Sequence, residues 1–132
     1  MFNLNRITLI GNTGGEAKTI ANGPTTLSLA TNVSWTDKQS NERRTRTEWH
    51  QLVIWNSLGK WAATLPKGTP LYVEGELVYE KYPRKVEATV GKKTVEVEVN
   101  TTVAKIKVDR LIRLASASSE AGGNPDSEEP AL

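Results

Sequence analysis

The chain has 132 residues, a quarter of them charged, a formal net charge of +2, one histidine and no cysteine. That length allows one domain with a proper core plus a tail, and is too short for two comfortable domains. The missing cysteines exclude a disulfide framework and thiolate metal sites, and one histidine cannot build an imidazole cluster, so no metal or other cofactor is expected.

The first hundred or so residues read as strands divided by turn signals. Arg6 to Ile10 (RITLI) is a first strand ending at Gly11-Asn12, and Thr25 to Trp35 is a second, rich in Thr, Leu and Val, ending in the polar loop TDKQSNERR. Arg46 to Trp55 is the third. At a period of two, Trp49, Gln51, Val53 and Trp55 point one way, and Glu48, His50, Leu52 and Ile54 the other. Asn56-Ser57 then predicts an N-cap, and Leu58, Trp61, Ala62 and Leu65 recur at helical spacing, which makes Trp61 a core residue of a short helix. Pro66 and Gly68 end it. Pro70 to Tyr82 is a strand with Leu71, Val73, Gly75, Leu77 and Tyr79 on one side. Val86 to Val90, Thr94 to Val99 and Val103 to Leu114 follow as separate strands, broken at Gly91 and Asn100-Thr101. The order β-β-β-α-β-β predicts an all-β protein, a Greek-key barrel of the OB type spanning residues 1–114.

From residue 115 the composition turns to small residues, Gly-Gly, prolines and acids, and a disordered tail is expected over 115–132. All 17 basic residues precede residue 114 and outnumber the 11 acidic ones there by six, whereas the last stretch from Glu120 carries four acids and no base. A basic body carries an acidic tail. The N-terminus has no basic segment followed by a long apolar run, and no stretch reaches the roughly 18 apolar residues of a membrane span, so a cytosolic protein is the simplest expectation.

Catalysis lacks parts. His50 projects with Glu48 on the aliphatic side of its strand, which fits a buried or interface histidine, and Gly11, Gly14 and Gly15 spell a turn, not a phosphate loop. No enzyme is expected. Binding of single-stranded nucleic acid needs flat aromatic faces for bases and cations for phosphates. Trp35, Trp49, Trp55 and Tyr82 are candidate platforms, with Lys38, Arg43, Arg44 and Arg46 between the first two and Lys67 and Lys81 beside the later strand. Trp49 and Trp55 lie about 20 Å apart along a strand and cannot sandwich one base, but can mark separate stops along an extended chain. Trp35 shares its parity with Leu27, Leu29 and Val33, which favours burial unless a bend re-aims it.

The phrases LIGN, LATNVSW, RTEWH and KGTPLYVEGEL, in that order, resemble the bacterial-type single-stranded-DNA-binding protein family over roughly residues 3 to 114. The resemblance implies an OB fold, a homotetramer, and sequence-independent binding of single-stranded DNA in replication, repair and recombination, in the cytoplasm with the nucleoid. Carried over by position, the family's stacking aromatics fall on Trp35, Trp49, Trp55 and Tyr82, and its phosphate-contacting lysines on Lys38, Lys67 and Lys81. Phenylalanine is common where Trp55 stands, and tryptophan where Tyr82 stands. A lysine expected after Trp55 is replaced by Ser57, and an arginine before Lys81 by Glu80, which reduces the cationic footprint. His50 would lie close to a subunit contact. The family's acidic tip ending in Ile-Pro-Phe, which docks replication and repair enzymes, is here DSEEPAL. Its Asp126, Glu128, Glu129, Pro130 and Leu132 keep acids, proline and an apolar end without the aromatic. A second reading is a primosome-like OB-fold subunit whose main work is to recruit replication enzymes.

Overall fold

A computed structural model describes residues 1–115, so Asp126, Glu128, Glu129, Pro130 and Leu132 lie outside the described residues. Six strands and one helix follow in order: β1 (Ile7–Thr13), β2 (Lys18–Thr19), β3 (Thr25–Thr36), β4 (Arg43–Ile54), α1 (Asn56–Ala62), β5 (Pro70–Val90) and β6 (Lys93–Arg113). The sheet order is β1-β5-β6-β4-β3-β2, and an added β1–β3 pairing closes it into a barrel, with β2 a two-residue appendage on β3. Long antiparallel ladders make most of the wall. Two seams are short: β1–β3, with Asn12↔Ala30 and Thr13↔Leu29, and β4–β6, which is parallel and consists of Leu52↔Ile106 and Val53↔Lys107. Alternation puts Leu27, Leu29, Leu52, Ile54, Leu71, Val73, Ile106 and Val108 inside, with Ala62 and Leu65 from the α1 side closing one end. The order β-β-β-α-β-β is therefore present, and the OB barrel expected from sequence is the fold.

Both long hairpins outrun this core. In β3 burial ends at Leu29, and from Asn32 to Thr36 every residue is exposed, as are its partners Arg43 to Thr47 in β4. We call residues 32–47 the first arm. The second arm is longer: β5 and β6 run 21 residues each, paired from Gly75↔Val108 to Val90↔Lys93 across the turn Gly91-Lys92. The four separate strands expected after Pro70 are thus two. Asn100 and Thr101 do not break β6, because on an arm wetted on both faces polar residues fit the ladder; they pair with Pro83 and Tyr82.

α1 differs from its expected form in two ways. Trp55, with extended backbone, holds the N-cap position and makes no side-chain cap bond, while Asn56 takes a left-handed φ of 61°. Trp61 is 38% exposed, and Gly59 and Ala62 face inward instead. A Cβ on Gly59 would lie 2.4 Å from the Ile54 carbonyl oxygen, so α1 sits too close to β4 for a larger side chain. Its buried face is centred on a residue with no apolar side chain, and the indole is turned out. α1 is also the longest helix among the described residues, and none is long and apolar enough to cross a membrane.

Candidate nucleic-acid interface

Trp49 stands on the outer face of β4, 57% exposed, opposite Ala30. Its ring lies against Gly14 at the end of β1, where a Cβ would come within 2.5 Å of Cζ3. Gly14 is therefore the seat of the indole, a role that its place in Gly-Asn-Thr-Gly-Gly disguised as an ordinary turn. The face around Trp49 is held by side-chain pairs between strands. Gln51 Nε2 donates to Ser28 Oγ at 3.0 Å, Thr47 Oγ1 donates to Asn32 Oδ1, and Ser34 and Thr45 hydroxyls meet at 3.0 Å.

Trp35 does not join Trp49. The β3–β4 register runs unbroken from Thr25↔Ile54 to Thr36↔Arg43, so no bulge re-aims it, and it shares a face with Val33, Arg44 and Arg46. It is nevertheless 42% exposed, because that face has left the barrel and the core no longer covers it. The cations divide likewise. Arg43 lies on the Trp49 face, whereas Arg44 and Arg46 lie on the Trp35 face and already hold carboxylates, Arg44 Nε at 2.9 Å from Asp37 and Arg46 Nε at 3.1 Å from Glu48. The Gln39 backbone N–H and then Arg44 hold the Asp37 carboxyl below its usual range. Lys38 is exposed in the turn at the tip of this arm.

Trp55, 44% exposed, separates two clefts. One is lined by Asn56, Ser57, Leu58, Lys107, Val108 and Asp109; the other by the 19–23 turn, Thr25, Asn56, Ser57 and Lys60. Lys60 and Lys107 thus supply the charge that Ser57 lacks. Neither was legible as a site residue: Lys60 reads as the wet side of a helix, and Lys107 is fifty residues away in sequence. Lys67 is presented by a loop tied to β1 through two buried threonines. Thr13 Oγ1 donates to the Pro66 carbonyl and accepts from the Thr69 N–H, at 3.0 and 2.9 Å, while Thr69 Oγ1 donates to Pro66. Lys67 shares a cleft with Gly15 and Glu16, next to the seat of Trp49.

Tyr82 and Lys81 point to opposite faces of the second arm. Tyr82 is 44% exposed; Tyr79, on the Lys81 face and on the same side of the strand as Leu71 and Val73, is 65% exposed because β5 has left the barrel by that point. Glu80, standing where an arginine was expected, is paired with Lys105 Nζ at 2.9 Å and so is locally neutralised. Among the described residues Lys38, Arg43, Lys67 and Lys81 make no ion pair. His50 is half-buried, its Nε2 2.9 Å from Thr31 Oγ1.

A closed five-stranded barrel with a helix before its last two strands, and with bare aromatic rings among unpaired cations, defines an oligonucleotide-binding barrel. The chain belongs to the single-strand binding protein family, whose model matches residues 4–108. Among solved structures it is similar to a Plasmodium falciparum SSB in complex with ssDNA, at 29% identity and a TM-score of 0.62, covering 87% of this chain and 98% of that one. A Streptomyces coelicolor small single-stranded DNA-binding protein (18% identity, TM-score 0.55, 89% and 99% covered) shares the fold. So does the Thermus aquaticus single-stranded DNA binding protein (22%, TM-score 0.56), of which the match spans 52% against 87% of this chain.

Proposed function

We propose that this protein binds single-stranded DNA, as its family does, without reading sequence: bases stack on Trp49 and Trp55, and Lys60, Lys67 and Lys107 neutralise phosphates between and beside them. The observation that carries this reading is an indole left more than half exposed and fixed in place by a glycine seat, since an exposed tryptophan with no core to fill offers its face to another flat ring. Trp35 with Lys38 and Arg43 extends the path around the tip of the first arm, so the strand must cross the arm edge to reach it. Tyr82 and Lys81 continue it on the second arm. Such a protein serves replication, repair and recombination in the cytoplasm, at the nucleoid.

Assembly into a homotetramer belongs to the same reading. It is supported by an outward row across three strands, Ile10↔Tyr72↔Ile112, in which Ile10 is 52% and Ile112 37% exposed. The Tyr72 hydroxyl donates to Glu74, which raises the phenol's pKa and holds the ring on this face. His50 is placed in this reading at a subunit contact. The acidic segment from Glu120 competes with DNA for the basic body and, through Asp126, Glu128, Glu129, Pro130 and Leu132, docks enzymes of DNA metabolism.

Titration with oligo-dT tests the core of this, followed by tryptophan fluorescence at two salt concentrations. Quenching is expected, with affinity falling by about 0.7 in log K per log unit of salt for each phosphate neutralised. Absence of quenching at low salt would overturn the proposal.

A further inference from the structure

The β5–β6 ladder has one irregularity, and it falls beside Trp55. Arg110 pairs with Glu74 and Val108 with Gly75, which leaves Asp109 without a rung of its own. Asp109 is thus an inserted residue, a β-bulge, and bulges commonly re-aim a side chain at a functional surface. Gly75 lets the bulged strand press close, since a Cβ there would collide with the Lys107 carbonyl oxygen.

The seam with β4 fixes what stands next to the bulge. Leu52 and Val53 pair in parallel with Ile106 and Lys107, and the same count carried two residues further sets Trp55 level with Asp109. The paired rungs stop at Val53, and beyond them lies the cleft that Trp55, Asn56, Ser57, Lys107 and Asp109 line together. Asp109 is exposed and, among the described residues, makes no ion pair, although Lys107 lines the same cleft.

A free carboxylate on a path for single-stranded DNA repels phosphates, so a base rather than the backbone is what can face it. Once a base covers it, it needs a donor, because an ionised carboxylate only accepts hydrogen bonds and costs free energy when left without a partner out of water. Guanine meets that need best. Its Watson–Crick edge sets N1–H and N2–H side by side, two donors for two carboxylate oxygens. Cytosine and adenine each offer one amino group beside a ring-nitrogen acceptor, and thymine's N3–H stands between two carbonyl oxygens that the carboxylate repels. In a single strand this edge is free of a complementary base and open to contact.

We propose that the cleft beside Trp55 is a base-selective stop on an otherwise indifferent path: a base stacked on Trp55 turns its Watson–Crick edge to Asp109, and guanine is held there in preference to thymine. The inference rests on the DNA-binding reading and deepens it, since one selective stop sets the register of a strand whose other bases are accepted alike.

Competition against a labelled oligo-dT, followed by fluorescence anisotropy, tests it. A short oligo-dT carrying one interior dG should compete at least about fivefold better than oligo-dT of the same length, because the strand can slide until guanine meets the cleft. Deoxyinosine in place of dG keeps the purine stack and N1–H but lacks the amino group, and should lose most of that advantage. Asp109→Asn should tighten oligo-dT by about twofold through lost repulsion and bring dG and deoxyinosine level. Equal competition by dG and deoxyinosine in the parent would overturn the inference and leave the DNA-binding reading intact. So would an Asp109→Asn variant that gains affinity for every oligonucleotide alike, with the dG advantage kept, for Asp109 would then be a charge and nothing more. Failure of every oligonucleotide to bind would overturn both.

Discussion

The two arms are built alike and patterned differently. Each is a hairpin that continues a barrel ladder past the last core residue, so each exposes side chains whose parity, followed from the barrel, would put them inside: Trp35 on the first arm, Tyr79 on the second. On the first arm the face continuous with Trp49 carries hydroxyl and amide pairs, and the other carries Trp35 among paired arginines. On the outer part of the second, one face carries a row of valines between Arg84 and Lys93, and the other holds the carboxylates. Both patterns are read as ordinary strands, but they divide the work: the face around Trp49 and Trp55 offers flat platforms, whereas the outer second arm offers aliphatic and cationic groups beyond Tyr82.

The sharpest way to break that division is to remove the platforms. Replacing Trp49 and Trp55 by alanine should weaken oligo-dT binding at least about 30-fold, since each stacked base contributes about 1–3 kcal/mol. Fluorescence anisotropy of a labelled oligonucleotide measures it, and thermal melting should change little because both rings are outside the core. Next is the seat: Gly14→Ala should displace the Trp49 ring and cost about tenfold in affinity, with about 1 kcal/mol of stability from crowding, seen in a urea titration beside the binding curve. Cations should act on slope more than on affinity. Lys38→Ala, Lys67→Ala and Arg43→Ala together should flatten the log affinity against log salt line by about 2. Arg44→Ala should have about a twofold effect or less, because Asp37 already holds that guanidinium at a solvent-exposed site. Of similar size, truncation after Ala115 should tighten binding at low salt by about twofold and change nothing at high salt, where screening removes the competition.

The barrel itself was legible because alternating Leu, Val and Ile with turn residues at intervals specify strands and their inner faces, and one helical stretch between the third and fourth barrel strands narrows the topology. Trp49 and Trp55 were legible for the same reason: His50, Leu52 and Ile54 fill the inside, and the indoles must go out. Alternation alone did not show the exposure of Trp35 and Tyr79, because it gives the side of a strand but not the point at which the core stops; for Trp35 the family resemblance supplied what parity could not. Trp61 was misassigned for a related reason. Helical spacing counts apolar side chains, whereas the buried face of α1 is centred on Gly59, which has none. Gly14, Lys60 and Lys107 join the candidate site through contacts between distant segments, and no local pattern announces those.

The parallel seam between β4 and β6 has two rungs, where the β3–β4 ladder has twelve. A cylinder closed so sparingly has a built-in place to breathe. Those amide protons of Leu52, Val53, Ile106 and Lys107 that bond across this seam should exchange with solvent through local opening ahead of those in the long antiparallel ladders. Because Lys107 and Trp55 flank that zip, a strand laid across them would act as a suture, slowing exchange there and coupling occupancy of the surface to the rigidity of the whole barrel.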